Sequence, residues 1–198
     1  MDSLERMHII KKMVQDSISS KQALLNDEAL LEKINLSALL CINALKEGNR
    51  IILAGNGGSA ADAQHIAAEF VSRFEFDRPG LPALSLATDT SMLTAISNDY
   101  GYENVFKRQI EANAFKGDVF IGISTSGTSE NIIRACQVAK EKDLKVIGLT
   151  GNKENNMHQY CDITINTPSA YTARIQEMHI LIGHCICAIV EKELFREK

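Results

Sequence analysis

Asp118-Val119-Phe120-Ile121-Gly122-Ile123-Ser124-Thr125-Ser126-Gly127-Thr128-Ser129-Glu130 reads as a strand, a hydroxyl-rich turn and the opening of a helix. Val119 to Ile123 is a short apolar run entered from Gly117-Asp118, the pattern of a strand covered on both faces in a parallel sheet. Beyond Glu130 the spacing becomes helical, with Ile132, Ile133, Cys136 and Ala139 able to share one side. Between the two, five hydroxyl side chains (Ser124, Thr125, Ser126, Thr128 and Ser129) surround Gly127. A helix cap uses one or two hydroxyls, and five within six residues ask for more. The first amides of a helix lack helical partners and carry partial positive charge, so hydroxyls and amides together suit an anion such as a phosphate ester. No Gly-x-x-x-x-Gly-Lys-Ser/Thr run is present, so nothing indicates nucleoside triphosphate hydrolysis.

Working outward, Arg50 to Ala54 predicts another buried strand, Gly55-Asn56-Gly57-Gly58-Ser59 a turn, and Ala60 to about Phe74 a helix. Gly55-x-Gly57-x-x-Ala60 fits a relaxed dinucleotide fingerprint, which also needs an acid at the end of the next strand. That strand is expected over Ala83 to Ala87, and its acid, Asp89, lies too far along. The glycines still let a ligand approach the backbone, and Asn56 and Ser59 can bond sugar hydroxyls. Thr88-Asp89 opens a helix through Ile96, and Asn98-Asp99-Tyr100-Gly101 reads as a polar turn before a helix over Glu103 to Phe115. Two further strands are expected, Lys145 to Thr150 and Ile163 to Ile165.

Two helical stretches carry further chemistry. His65 and Glu69 sit four apart, which puts both side chains on one face, within reach of one metal ion or one substrate. Ala61, Ala63, Ala67 and Ala68 leave room around them. A long helix from about Ala170 to Phe195 is mostly apolar but includes Gln176, Glu177, His179 and His184. Gln176 and His184 are separated by about 12 Å of helix rise. Glu177 and His184 share a face more naturally, and spacing alone does not choose between the pairs.

The first 48 residues predict two helices, one with Leu4, Met7, Ile10, Val14 and Ile18 at helical spacing, the other capped by Asn26-Asp27 and stopped at Gly48. The second is apolar on most sides, so this pair is expected to pack against copies of itself as an oligomerisation segment. At 198 residues, with 45% hydrophobic and 23% charged residues, the chain is expected to form one soluble domain over 1–198. A net charge of −4 leaves no basic footprint for nucleic acid. No run is long enough to span a bilayer and Met1 to Ile18 lacks a signal peptide's apolar centre, so no membrane role is indicated and the cytoplasm is expected. Five cysteines without a Cys-x-x-Cys pair are expected to be reduced. Strands alternating with helices give an α/β fold, a doubly wound, mainly parallel five-stranded sheet with an N-terminal helical pair.

The Ser124–Ser129 loop resembles the phosphosugar-binding loop of the sugar isomerase (SIS) domain family. Together with Ala54-Gly55-Asn56-Gly57-Gly58-Ser59, Asn98-Asp99 and Arg174-Ile175-Gln176-Glu177-x-His179, over essentially the whole chain, it is similar to the phosphoheptose isomerases within that family. The resemblance implies an aldose–ketose isomerase that converts sedoheptulose 7-phosphate to D-glycero-D-manno-heptose 7-phosphate through an enediol, the first step of nucleotide-heptose synthesis. It implies that Ser124, Thr125, Ser126 and Ser129 hold the phosphate, and that Asn56, Gly57, Gly58, Glu69, Asn98, Asp99 and Gln176 line the sugar. It also implies one zinc on His65, Glu69, Gln176 and His184, with Glu69 and His184 as the acid/base pair. The choice of Gln176 over Glu177 comes from the resemblance alone, as does a homotetramer with sites at subunit interfaces. Two other classes remain open on the same fold: a non-catalytic tetrameric scaffold associated with the bacterial replication initiator, and a sugar-phosphate sensor without turnover.

Overall fold

The computed structural model describes residues 1–153 and 155–195. Five strands, β1 (Ile51–Gly55), β2 (Ala83–Ser85), β3 (Val119–Ile123), β4 (Lys145–Thr150) and β5 (Ile163–Asn166), form one sheet in the order β2-β1-β3-β4-β5. Every pairing is parallel, as the unbroken apolar runs imply. Seven α-helices are described: α1 (Ser3–Leu25), α2 (Glu28–Lys46), α3 (Gly58–Val71), α4 (Thr90–Tyr100), α5 (Val105–Asn113), α6 (Glu130–Glu141) and α7 (Thr172–Phe195).

The side-chain alternation of β3 shows why both faces must be apolar. Val119, Ile121 and Ile123 join the core formed with α2, α3 and α7, whereas Phe120 joins the core formed with α5 and α6. The chain winds outward from β1 to β2 in one direction and from β3 through β4 to β5 in the other. Gly55 pairs with Ile123, so the turns that follow β1 and β3 emerge side by side where the winding reverses. In open α/β sheets this is where ligands bind. All five cysteines are free thiols, as expected.

Helices α3 and α7 run parallel with a nearly constant register. Gln176 lies on Gly58, Gly183 on Ile66, and Glu191 on the backbone of Phe74, each partner about 117 residues ahead. Gly183 allows the close approach: a Cβ there would stand 2.4 Å from Ile66 Cδ1 and 2.7 Å from its Cγ1.

Several element ends depart from the sequence reading. Asn98 and Asp99 lie inside the last turn of α4, not in a break after Ile96. Both are exposed, so their short polar side chains do not interrupt the helix, which stops at Gly101 with φ +84°. A short 3-10 turn, Tyr102–Asn104, then replaces the expected start of α5. The apolar breadth of α2 is largely used inside the subunit, where Leu30, Ile34, Ala38, Cys41 and Ile42 are buried. Leu36 and Leu39 of α2 stay exposed, but more uncovered apolar surface lies on α1, whose Leu4, Met7, Ile10, Val14 and Ile18 are exposed and whose one buried residue is Leu24.

Glu177 faces this helix. It accepts from Ser17 Oγ at 2.7 Å and pairs with Arg174, which also donates to the Met13 carbonyl. His179 is fully buried on the other flank, with Nε2 3.2 Å from the Thr150 carbonyl oxygen and, among the described residues, no partner for Nδ1.

Two stability predictions follow from α7. Gly183→Ala adds helix propensity of about 1 kcal/mol, but the methyl meets Ile66, and overpacking of a tight core costs about 1–3 kcal/mol. A lowered denaturant midpoint is expected. Burial pushes the His179 imidazole down to about 4 from its ordinary 6.5, so the unfolded chain binds a proton between those values that the folded chain does not. This contribution is intact above pH 6.5 and lost as pH falls towards 4. Burial also pushes the Asp62 carboxyl up to about 6, giving the opposite slope over its own range. The readout is therefore a difference: wild type should lose more stability than His179→Gln as pH is lowered from neutral to 4.5, and parallel pH profiles would refute it.

Candidate active site

The two turns at the winding reversal are tied to each other. Asn56, after β1, and Asn131, in the first turn of α6, exchange amide hydrogen bonds of 2.9 Å in both directions. Tyr102 Oη donates to Asn56 Oδ1 at 2.9 Å. Asn131 is buried, so its amide depends on this pairing, and Asn56 is held in one orientation. Neither Asn131 nor Tyr102 stands out in the sequence, where one reads as a helix residue and the other as part of a turn.

The hydroxyl loop between β3 and α6 is bonded to itself. Ser124 Oγ lies 3.0 Å from Ser129 Oγ and 3.4 Å from Ser126 Oγ, and it accepts from the Gly127 amide at 3.1 Å. Thr128 Oγ1 donates to Ser126 Oγ at 3.0 Å. Ser129 occupies the N-cap of α6, yet its side chain makes no capping bond, so no hydroxyl occupies the helix amides. Gly127 has φ +67°, and the space a Cβ would take is filled by Asn155, its Cγ 2.2 Å from that position. Glycine is needed there on both counts. Thr125 and Ser126 also line a cavity of about 110 Å³ with Asn152, Lys153 and Thr172. Lys153 thus supplies a cation that the loop itself lacks.

A second group lies further along α3 and α7. His65 Nε2 is 2.9 Å from Glu69 Oε1 and 3.5 Å from His184 Nε2, and one ligand atom from each of the three falls within 4.8 Å of the others. The imidazoles of His65 and His184 meet edge to face at 5.1 Å between centroids, and the Phe74 ring lies 5.3 Å from His184. Tetrahedral zinc with bonds near 2.1 Å places its ligand atoms about 3.4 Å apart. The His65, Glu69 and His184 donor set suits a metal ion in type, and its separations of 2.9 Å and 3.5 Å about His65 Nε2 are near that value.

The remaining candidates are more scattered in the single chain. Gln176 packs its amide on Gly58, where a Cβ would stand 2.3 Å from Nε2, and among the described residues no hydrogen bond joins it to the His65 group. Glu177 points away, towards α1. Asn98 Nδ2 donates to Asp99 Oδ1 at 2.8 Å on the exposed end of α4, and among the described residues neither side chain bonds to another candidate.

Comparison with known proteins accords with this arrangement. Residues 15–151 match the SIS domain family model. A phosphoheptose isomerase from Aneurinibacillus thermoaerophilus is 60% identical over 96% of this chain and 96% of its own. Solved structures of phosphoheptose isomerases from Neisseria gonorrhoeae and Francisella tularensis are 41% and 36% identical, with TM-scores of 0.88 and 0.90. The alignments cover 94% and 97% of this chain and 98% and 100% of those structures. With the hydroxyl loop at the winding reversal and the imidazole–carboxylate group on α3 and α7, the chain belongs to the phosphoheptose isomerases, a family of SIS-domain enzymes.

Proposed function

We propose that the chain is an aldose–ketose isomerase interconverting sedoheptulose 7-phosphate and D-glycero-D-manno-heptose 7-phosphate. The observation that carries this reading is the pairing of Glu69 with two imidazoles on one face, in a chain that also has a hydroxyl-lined helix start. A scaffold or a sensor needs the second feature and has no use for the first.

The phosphate is held by Ser124, Thr125, Ser126 and Ser129 and the first amides of α6, while Asn56, Gly57, Gly58, Asn98, Asp99 and Gln176 line the sugar. Isomerisation moves a proton from C1 to C2 and a hydroxyl proton between the two oxygens. Glu69 Oε1 is engaged by His65, which leaves Oε2 to take the carbon proton. His184 donates to the ketone oxygen as the enediol forms and accepts the proton of the neighbouring hydroxyl as the aldehyde forms. Zinc on His65, Glu69 and His184 would supply a Lewis acid for charge that develops on oxygen, and since Gln176 of the same chain lies against Gly58, the further ligand would be Gln176 of a neighbouring subunit.

Distance argues for shared sites. Glu69 is eleven residues beyond Gly58 on one straight helix, about 16 Å of rise, farther than a seven-carbon chain whose phosphate sits beside Gly58 can span. His65 is also half exposed in the single subunit. We place the carbonyl end of each substrate on the Glu69–His184 pair of a neighbouring subunit, within a cytoplasmic homotetramer built on the exposed face of α1.

Glu69→Gln should abolish turnover and leave phosphate-ester binding intact, whereas Ser126→Ala should chiefly raise KM. Measured turnover near wild type in Glu69→Gln would refute the acid/base assignment. Refolding Glu69→Gln together with a variant inactivated at Ser129 should restore part of the activity if sites are shared. A mixture as inactive as its parents would refute the sharing.

A further inference from the structure

Arg78 and Glu191 form an ion pair sealed from solvent, with side chains 2% and 0% exposed. Glu191 accepts from the Phe74 amide at 2.9 Å, the Glu75 amide at 2.7 Å and Arg78 Nε at 2.9 Å. Burial pushes its carboxyl up, but these donors more than reverse that and hold it below the ordinary range, so it is ionised at neutral pH. Arg78 is spread over the end of α3: Nη2 donates to the Glu69 carbonyl at 2.8 Å, and Nη1 to the Phe70 carbonyl at 2.7 Å and the Pro79 carbonyl at 3.1 Å. The last carbonyls of a helix lack helical donors, and a cation there also suits the helix dipole.

The geometry places this network directly behind the acid/base pair. Its Arg78 arm bonds the backbone of Glu69 itself. Its Glu191 arm fixes the amide of Phe74, whose ring lies against the His184 imidazole at an angle of 33°. Glu191 stands seven residues beyond His184 on α7, two turns along the same side. One buried pair therefore reaches both side chains of the reaction, one through a carbonyl and the other through an aromatic ring.

We propose that Arg78, Glu191 and Phe74 are positioning residues for the isomerisation: the ion pair fixes the end of α3 and the following loop, and Phe74 restrains the His184 ring against Glu69 and His65. This inference rests on the isomerase reading above. A purely structural clamp would affect only folding, whereas a positioning device affects the chemistry and the donor set while leaving the phosphate grip alone. Ser124–Ser129 lie in the loop between β3 and α6, outside the network, so substrate affinity should change little while the chemical step slows.

The test uses the full chain with Arg78→Lys, which keeps the charge but loses the planar fork, and Phe74→Leu, which keeps an apolar residue and the backbone amide. Each should lower kcat roughly 10–100-fold and weaken zinc affinity by a similar factor, the usual effect of losing a group that orients a ligand. KM for sedoheptulose 7-phosphate should stay near wild type. Zinc affinity is read by competition with a chromophoric chelator, independently of turnover. Wild-type kcat and zinc affinity in a folded Phe74→Leu would overturn the proposal, and this variant decides the matter if Arg78→Lys fails to fold. A wild type that binds zinc but does not turn over would refute the isomerase reading while the affinity comparison still judges this one; a wild type that does neither would overturn both.

Discussion

The close parallel packing of α3 on α7 is the contact on which the rest depends. A side chain at position 183 would force the two helices apart at Ile66. Because their register is nearly constant, that single contact also sets which residues meet above and below it: Gln176 with Gly58 at one end, Phe74 with Glu191 at the other. His65, Glu69 and His184 come together between these points. Helices packed at a fixed offset hold three donors more accurately than a loop could, since their backbones cannot adjust independently.

The sheet imposes a second constraint. The reversal of winding between β1 and β3 brings the glycine turn beside the hydroxyl loop, and the Asn56–Asn131 exchange locks the two turns together. The reacting groups, however, lie partway down α3 rather than at its start. On the proposed reading, two rigid sites separated along one helix would not serve one short substrate within a single subunit, which would give an assembly a chemical reason to exist. In the proposed assembly the exposed apolar residues of α1 would be covered, and the Arg174–Glu177 contacts to α1 connect that face to the helix carrying His184.

What the sequence made legible follows periodicity and local chemistry. The five strands, with β2 ending at Ser85 instead of Ala87, the helix starts at glycine or hydroxyl turns, and the His65–Glu69 face could all be read because their signals are local. The Gln176–Glu177 choice could not, because neighbouring positions on a helix differ only in which partner they face, and Glu177's partners Ser17 and Lys21 are some 160 residues away. Asn98-Asp99 misled for a related reason. Two polar residues before a glycine look like a turn, but nothing in their chemistry stops a helix whose exposed side they occupy. Arg78 and Glu191 were invisible as a pair, since a surface charge and a buried one look alike until the fold brings three donors to one carboxylate.

The proposed role of the hydroxyl loop raises the question of how an acidic chain would hold an anion. Net charge is −4, so long-range attraction does not deliver a phosphate, and the site must rely on donors within bonding distance. In the structure Ser124, Ser126, Thr128 and Ser129 satisfy one another. A hydroxyl both donates and accepts, so each can rotate from a neighbour to a phosphate oxygen without leaving a buried group unpaired. A loop of lysines would bind through fixed charge and would hold substrate and product alike more tightly, because both carry the same ester. On the proposed reading, rotating neutral donors and the amides of α6, with Lys153 at the rim, would orient the sugar while limiting the penalty on its release.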